Sequence, residues 1–270
     1  MYLLERLRAV VRRRLERHSL EPREQYNAIV RGINTIGGLV GIDVFSPNFS
    51  PGNVHLRLVL LNSFAFFWIN LYNLTTTYGN LVDFMFCLET LLYVFIAWIK
   101  MHVFVKHKTL ILKLHQFMVE FFDQFQGDPE QDALLVKTLQ DTFLLVALFG
   151  FCSSAAAALI FVYSLIWSVF VEYALPLGFY IPTVGMNYLE GFALNYAFQL
   201  LESALMVSGI ISSETAFFMF LQNACLQVDM LRLELDRLGR LGALNTDGRH
   251  TGEIRTRIQT IIEHHIKHLE

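Results

Sequence analysis

One uncharged apolar segment constrains the fold of this chain more than any other feature. No Asp, Glu, Lys or Arg occurs from Thr142 to Val171, and the centre of this segment is rich in Leu, Phe, Val and Ala. A run of this length is typical of a helix that crosses a lipid bilayer. The whole chain agrees, since 54% of its 270 residues are hydrophobic and only 17% are charged, against about 25% charged in an ordinary soluble domain.

Three more segments are apolar enough to cross a bilayer. The 25 residues between Arg57 and Asp83 carry no charge. A second run, from Phe84, contains Glu89, whose cost its Leu, Ile, Val and Phe residues offset. Another run, from Gly191, contains Glu202 and Glu214, which suit a helix that faces protein or a cavity rather than lipid. None of the six prolines falls inside any of the four segments. The sequence therefore predicts an all-α, polytopic membrane helical bundle with four transmembrane helices, at about 58–77, 84–105, 142–167 and 191–225.

The basic residues predict the orientation of this bundle. Of the 21 Lys and Arg residues, nine precede residue 58, five lie between residues 100 and 137, and seven follow residue 231. All of them fall on one side of a four-span arrangement, which the positive-inside rule makes cytoplasmic. We therefore expect a cytoplasmic N-terminus, with a cytoplasmic segment over 1–57, a transmembrane region over 58–228, and a cytoplasmic extension with the start of a fifth helix over 229–270.

Amphipathic segments flank the predicted spans. Residues 2–18 place Leu and Val on one helical face and arginines on the others, which suits either the inner membrane leaflet or a helix docked on the protein. Apolar residues recur at helical spacing over 110–122, so we expect the second span to continue into the cytoplasm. The amphipathic segment over 254–270 leaves an apolar face uncovered, which suggests a fragment or a shortened product.

The sequence argues against an enzyme. It contains no G-x-G-x-x-G, GxxxxGK[ST], G-x-S-x-G or H-E-x-x-H motif, and all nine histidines fall on or near the predicted cytoplasmic side. His264, His265 and His268 have no carboxylate or cysteine at metal-ligand spacing to complete a site. A net charge of −3 gives no sign of a nucleic-acid partner. We predict no catalytic residue, no metal and no cofactor.

Small residues in the third and fourth spans suggest close packing with a cavity beside it. Gly150, Ser154 and Ala158 form one ridge at i, i+4 spacing, and residues 204, 208, 212 and 216 form another. Aromatic, aliphatic and Met side chains in the outer halves either pack the bundle or line an apolar cavity for a small volatile molecule. The candidates for lining it are Phe84, Leu88, Leu92, Phe161, Tyr163, Ser164, Trp167, Met206 and Ile210.

Four polar residues in or beside the spans invite separate explanations. Glu89, Glu202 and Glu214 are intramembrane carboxylates, which are functional candidates by default. The alternative is that Glu202 and Glu214 hydrogen-bond Ser or Tyr neighbours within the bundle. Asn73 begins an Asn-Leu-Thr glycosylation sequon, but it abuts the membrane end of the first span and we expect it to be unused.

The predicted outer loop and the fourth span contain a distinctive combination of residues. The loop reads LPLGFYIP over 175–182, and Tyr196 and Gln199 open the following span as Tyr-x-x-Gln. A Cys-x-Gln step at Cys225 and Gln227 lies near its end. These features resemble the insect odorant receptor family, closely over 175–270 and loosely over the rest of the chain.

The resemblance implies a seven-helix subunit of an odorant-gated, non-selective cation channel. It implies a hetero-tetramer with an odorant receptor co-receptor, in the plasma membrane of olfactory sensory neuron dendrites. Odorants would bind among the outer halves of helices that include the second, third and fourth. The chain supplies helices one to four and the opening of the fifth, so the sequence is expected to be truncated before the pore-lining seventh helix.

Two alternatives remain open at this point. A gustatory-type receptor would form a channel without the co-receptor, although residues 175–199 argue against it. A pore-less truncated isoform, or another four-span membrane protein, would act by association with full-length subunits. A transporter is disfavoured, because no internal repeat or pair of broken helices is present.

Overall fold

The chain folds into helices joined by short connections. The computed structural model describes residues 21–43, 45–125, 127–186 and 188–244, together with 252, 254–256, 258, 259 and 262. Through residue 244 the described chain contains no strand. Its helices are α1 (Pro22–Gly38), α2 (Val54–Thr76), α3 (Leu81–Lys106), α4 (Lys108–Gln124), α5 (Pro129–Phe170) and α6 (Leu189–Leu244).

Four of these helices, α2, α3, α5 and α6, are long and apolar enough to cross a membrane. The prediction of an all-α bundle with four candidate membrane-spanning helices is therefore confirmed. The cytoplasmic position of the N-terminus stays a prediction. The amphipathic segment over 2–18 lies outside the described residues.

Polar caps fix where three of the helices begin. Asn53 accepts a hydrogen bond from the backbone N–H of His55 at the start of α2 (3.0 Å), and Asn80 accepts one from Val82 at the start of α3 (3.1 Å). Asp128 accepts two from the first turn of α5. Such caps satisfy backbone donors that have no partner within the helix, so they set the boundaries that hydropathy alone leaves blurred.

The two longest helices exceed the thickness of a bilayer. Helix α5 has 42 residues and α6 has 56, which at 1.5 Å per residue correspond to about 63 and 84 Å. About 30 Å is enough to cross the hydrocarbon core. The predicted spans 142–167 and 191–225 are the apolar parts of these helices. Their polar ends, 129–141 and 226–244, continue each helix beyond its span.

Helix α1 was not predicted from the sequence, although its pattern is amphipathic. Tyr26, Ile29, Val30 and Ile33 recur at helical spacing and are all buried. They pack toward α4, α5 and α6. This periodicity extends over only 17 residues and includes several polar residues, so it does not stand out in hydropathy.

The largest apolar cluster, which we call the base core, lies where α1 and α4 pack against the start of α5 and the second half of α6. We call this end of the bundle the base. Tyr26, Phe122, Leu135, Leu139 and Met219 are among its almost completely buried members. Each such side chain stabilises the fold by about 1.5–3 kcal/mol relative to exposure to water. The base therefore contains the larger of the two buried apolar clusters of the described chain.

A glycine permits the close approach of α1 to α6. A Cβ on Gly37 would lie 2.7 Å from Ser212 Oγ and 2.5 Å from the carbonyl oxygen of Ile42. Ser212 belongs to the predicted small-residue ridge of the fourth span. Its small side chain therefore serves a contact with α1, whereas Gly150 of the other ridge faces Ile211 across α5 and α6.

Candidate functional site

The loop between α5 and α6 is held to the bundle by buried amide side chains. Asn73 of α2 donates a hydrogen bond to the Tyr180 carbonyl (2.7 Å) and accepts one from the Tyr180 N–H (3.1 Å). Asn195 of α6 accepts a hydrogen bond from the Ile181 N–H at 2.6 Å. Buried amide groups are normally hydrogen-bonded. The loop backbone supplies partners for these side chains, and the side chains in turn hold the loop in place. We call this end of the bundle the loop end.

Gln199 supplies a further attachment for the same loop. Its side-chain oxygen accepts a hydrogen bond from the Leu177 N–H (2.9 Å), and its amide donates one to the Phe179 carbonyl (2.5 Å). Phe179 is fully buried and packs edge-on against Phe66 of α2, with ring centroids 5.1 Å apart. The Tyr-x-x-Gln pattern therefore has a structural role, since its Gln fixes the backbone of the LPLGFYIP segment.

A cavity of about 770 Å³ lies beside this anchored loop. Its walls come from α3, α5, α6 and residues 174–177 of the loop. Ser164 of α5 donates a hydrogen bond to the Ala174 carbonyl (2.5 Å), and Ser168 accepts one from the Ala174 N–H (3.0 Å). These bonds hold the loop wall against the end of α5. The cavity is open at its side and mostly apolar.

Six of the nine residues proposed from the sequence line this cavity. Four come from the last turns of α5 and two from α6. They are Phe161, Tyr163, Ser164, Trp167, Met206 and Ile210.

The other three, Phe84, Leu88 and Leu92, do not line it. Phe84 packs edge-on against Tyr78 instead, with ring centroids 6.0 Å apart, and Leu92 is 55% exposed. Helix α3 is apolar on all sides, so hydropathy does not specify which face turns inward. For these three residues the expected position on the cavity wall is corrected by the structure.

The face of α3 that lines the cavity carries a carboxylate. It consists of Phe86, Glu89, Thr90 and Tyr93, which are spaced i, i+3, i+4 and i+7. An ionisable residue within a span prefers a cavity to lipid, so Glu89 was the signal that could have identified this face. The hydroxyl of Thr90 already has a hydrogen-bond partner, because it donates to the Phe86 carbonyl at 2.8 Å.

The other two intramembrane carboxylates pair with neighbouring spans. Glu202, which is 2% exposed, accepts a hydrogen bond from Asn62 of α2. Glu214 forms an ion pair with Lys100 of α3. The expectation of Ser or Tyr partners is therefore wrong, since the partners are an amide and an ammonium group from adjacent helices. Both pairs join α6 to the first two spans.

A second, smaller cavity of about 50 Å³ adjoins this polar layer. Its lining includes Lys100 and Glu202, and it shares Met206 and Ile210 with the large cavity. Met206 and Ile210 on α6 therefore lie between the two cavities.

An arginine fastens the polar end of α6 to the start of α5. Arg237 donates to both carboxylate oxygens of Asp128 at 2.7 Å and to Glu130 at 2.8 Å. Glu234 lies 3.3 Å from the same guanidinium. The hydrogen bond from Arg237 lowers the pKa of Asp128 to about 2. The start of α5 is thereby held at the base by charge-assisted hydrogen bonds as well as by apolar packing.

The histidine-rich end of the sequence cannot be compared with its prediction. His264, His265 and His268 lie outside the described residues. Within the part of the chain that the structure describes, no group of three His, Cys, Asp or Glu side chains is placed to hold a metal ion.

A known family matches the part of the chain that contains the loop and the fourth span. The family model of the 7tm odorant receptors matches residues 73–270, which is well over half of the chain and includes the cavity walls. No curated protein and no solved structure matches. This family consists of multi-pass membrane receptors involved in olfaction rather than of enzymes. The resemblance predicted from the sequence is confirmed, and the chain belongs to the odorant receptor family.

Proposed function

We propose that this protein is an odorant receptor subunit that binds small volatile molecules in the cavity at the loop end. In this proposal it works with an odorant receptor co-receptor in a hetero-tetramer that forms a ligand-gated, non-selective cation channel. It acts in the plasma membrane of olfactory sensory neuron dendrites. Family membership and four candidate membrane-spanning helices support the receptor part of the proposal.

The observation that carries the proposal is the cavity itself. Its volume of about 770 Å³ lies within the roughly 300–1,000 Å³ that is usual for small-molecule sites. Its walls are mainly aromatic and aliphatic, which suits an apolar volatile ligand. Such a cavity discriminates by shape, in increments of about 1–3 kcal/mol for each methylene group.

The residues of α6 that line the cavity suggest how ligand binding would affect the rest of the bundle. A ligand that contacts Met206 and Ile210 touches two residues that also line the smaller cavity, where Lys100 and Glu202 lie. A ligand shifts a conformational equilibrium only if it binds one state more tightly than the other. In this proposal the activating odorant binds more tightly to the arrangement of α6 that accompanies the open channel.

The proposal is tested by recording currents from cells that express the complete reading frame with the co-receptor. We expect odorant-evoked cation currents, and we expect Trp167→Ala and Met206→Ala to change the rank order of active odorants because both residues line the cavity. Trp68→Ala and Met85→Ala are matched controls, since both side chains are more than half exposed and lie outside the cavity wall.

Each other outcome has a distinct meaning. Unchanged tuning in both cavity variants would remove these residues from the ligand site. Currents that do not require the co-receptor would favour a gustatory-type channel. Co-purification with receptor subunits in the absence of any current would favour a protein that acts by association.

A further inference from the structure

We infer that the cavity selects volatile amines, with the Glu89 carboxylate binding the ligand ammonium group. This inference rests on the proposal that the cavity is the odorant site, and it adds a ligand class. Three features carry it: the place of Glu89 on the cavity wall, the absence of a cationic partner for it among the described residues, and the aromatic rings that line the same cavity.

Glu89 lies on the cavity face of a helix that is otherwise apolar. Phe86 precedes it by three residues and Tyr93 follows it by four, so all three share one side of α3. A carboxylate at this depth is costly in lipid and is found where it faces a cavity or a partner. The large cavity provides that environment for Glu89.

Among the described residues, no basic side chain lines the large cavity. Glu89 is the only Asp, Glu, Lys, Arg or His among the lining residues, and no hydrogen bond or ion pair joins it to another of the described residues. The nearest basic residue along α3, Lys100, is paired with Glu214. The hydroxyls of Thr90 and Ser164 donate to backbone carbonyls. The carboxylate is therefore left to be neutralised by a cationic ligand.

Aromatic side chains line the same cavity as Glu89. Phe86 and Tyr93 stand beside Glu89 on α3, and Tyr163 and Trp167 form the wall on α5 with ring centroids 6.1 Å apart. The faces of such rings attract cations within about 6 Å. A carboxylate among aromatic rings suits a cation attached to an apolar chain. The same carboxylate repels carboxylic acids, which are anions at neutral pH.

Three ligands with the same chain length test this selectivity. Hexylamine, 1-hexanol and hexanoic acid differ in the head group alone. In cells that express the complete reading frame with the co-receptor, we expect the half-maximal concentration for hexylamine to be at least about tenfold lower than that for 1-hexanol. We expect hexanoic acid to be the weakest of the three.

Substitution of the carboxylate separates charge from shape. We expect Glu89→Gln to weaken the hexylamine response by about tenfold or more and to change the 1-hexanol response by no more than about threefold. The retained alcohol response shows that the variant folds and reaches the membrane. Glu24→Gln, on the exposed side of α1, is the matched control and should change neither response.

A binding measurement keeps the inference independent of channel activity. Labelled hexylamine should bind saturably to the purified wild-type protein in lipid nanodiscs and at least about tenfold more weakly to Glu89→Gln. Glu89-dependent binding without any current would support the amine site and contradict the proposed channel function. Alcohol-evoked currents with no preference for the amine, or with no effect of Glu89→Gln, would overturn the inference and leave the proposed function standing. Neither current nor binding would overturn both.

Discussion

At the base, helices α5 and α6 pack closely against their neighbours. At the loop end, the same two helices form part of the wall of an open cavity. At the base, Leu135 and Leu139 of α5 are almost completely buried. In the last turns of the same helix, Leu159 and Tyr163 are more than 60% exposed, and Phe161 and Ser164 are the buried residues. One pair of helices therefore combines a packed region and an open one.

The two regions differ because the solvent that drives packing differs. The base segments of α5 and α6 have polar faces, so water drives their apolar faces together. The central part of α5 is apolar on all sides, and lipid provides no comparable drive for one helix to cover another. Packing at the loop end therefore relies on polar attachments, such as those of Asn73 and Gln199, together with the small apolar cluster that contains Phe179. This leaves room for a cavity without weakening the base.

The largest expected effect contrasts two leucines on α5. Leu135→Ala removes a fully buried side chain from the base core and should destabilise the protein by about 2–5 kcal/mol. Leu159→Ala makes the same change at a wall residue of the open cavity, where we expect about 0.5 kcal/mol or less. Thermal unfolding in nanodiscs measures both. Equal shifts of the unfolding midpoint would remove the distinction between the two regions.

The next effect concerns the polar layer between the two regions. Asn62→Leu leaves the buried carboxylate of Glu202 without its donor, which should cost about 1–3 kcal/mol. The double variant Asn62→Leu/Glu202→Leu removes both groups, so we expect it to recover part of that loss. The same unfolding assay applies. A double variant that is less stable than Asn62→Leu alone would show that Glu202 has another stabilising partner.

A pH-dependent effect is expected at the base. The folded-state pKa of Asp128 is about 2 because of its bonds to Arg237, below its ordinary value of 3.8. A lowered carboxylate pKa contributes stability that is present above the ordinary value and is lost as the pH falls toward the folded-state value. The unfolding midpoint of wild type should therefore exceed that of Asp128→Asn by a few degrees at pH 7. Asn still caps α5, so the variant isolates the charge.

The control for this pH experiment is an exposed aspartate on α6. Asp229→Asn should change the unfolding midpoint little at any pH. The difference between wild type and Asp128→Asn should shrink between about pH 4 and pH 2. A difference that persists unchanged at pH 2 would mean that Asp128 acts through something other than its charge.

The last prediction is that Asn73, at the loop end, carries no N-linked glycan. Asn73 is fully buried, and its side-chain amide donates to the Ile69 and Tyr180 carbonyls. We therefore expect glycosidase treatment to leave the gel mobility of the wild-type protein unchanged. The double variant Thr183→Asn/Gly185→Thr creates a sequon in the exposed part of the loop and serves as the control. A glycan on Asn73 would show that the loop attachment opens.

Sequence alone predicted the spans well because crossing a bilayer requires only length and apolar composition. It also placed six residues on the cavity wall, since those lie near the end of α5 and in the first half of α6. It did not predict the inward face of α3, because the helix is apolar on most sides and Glu89, the one residue that marks this face, was not used to orient it. It also missed Asn62 and Lys100 as partners of the carboxylates, because these contacts depend on how separate helices pack together.

Helix α6 runs without interruption from Leu189, next to the anchored loop, to Leu244. It includes the cavity wall at Met206, the buried Glu202 and the Arg237 attachment. From Met206 to Leu244 the helix is about 57 Å long, so a tilt of about 5° around Met206 would move its far end by about 5 Å. Because the helix is continuous, a displacement smaller than a methyl group at the cavity would produce a displacement of its far end that is as large as a side chain.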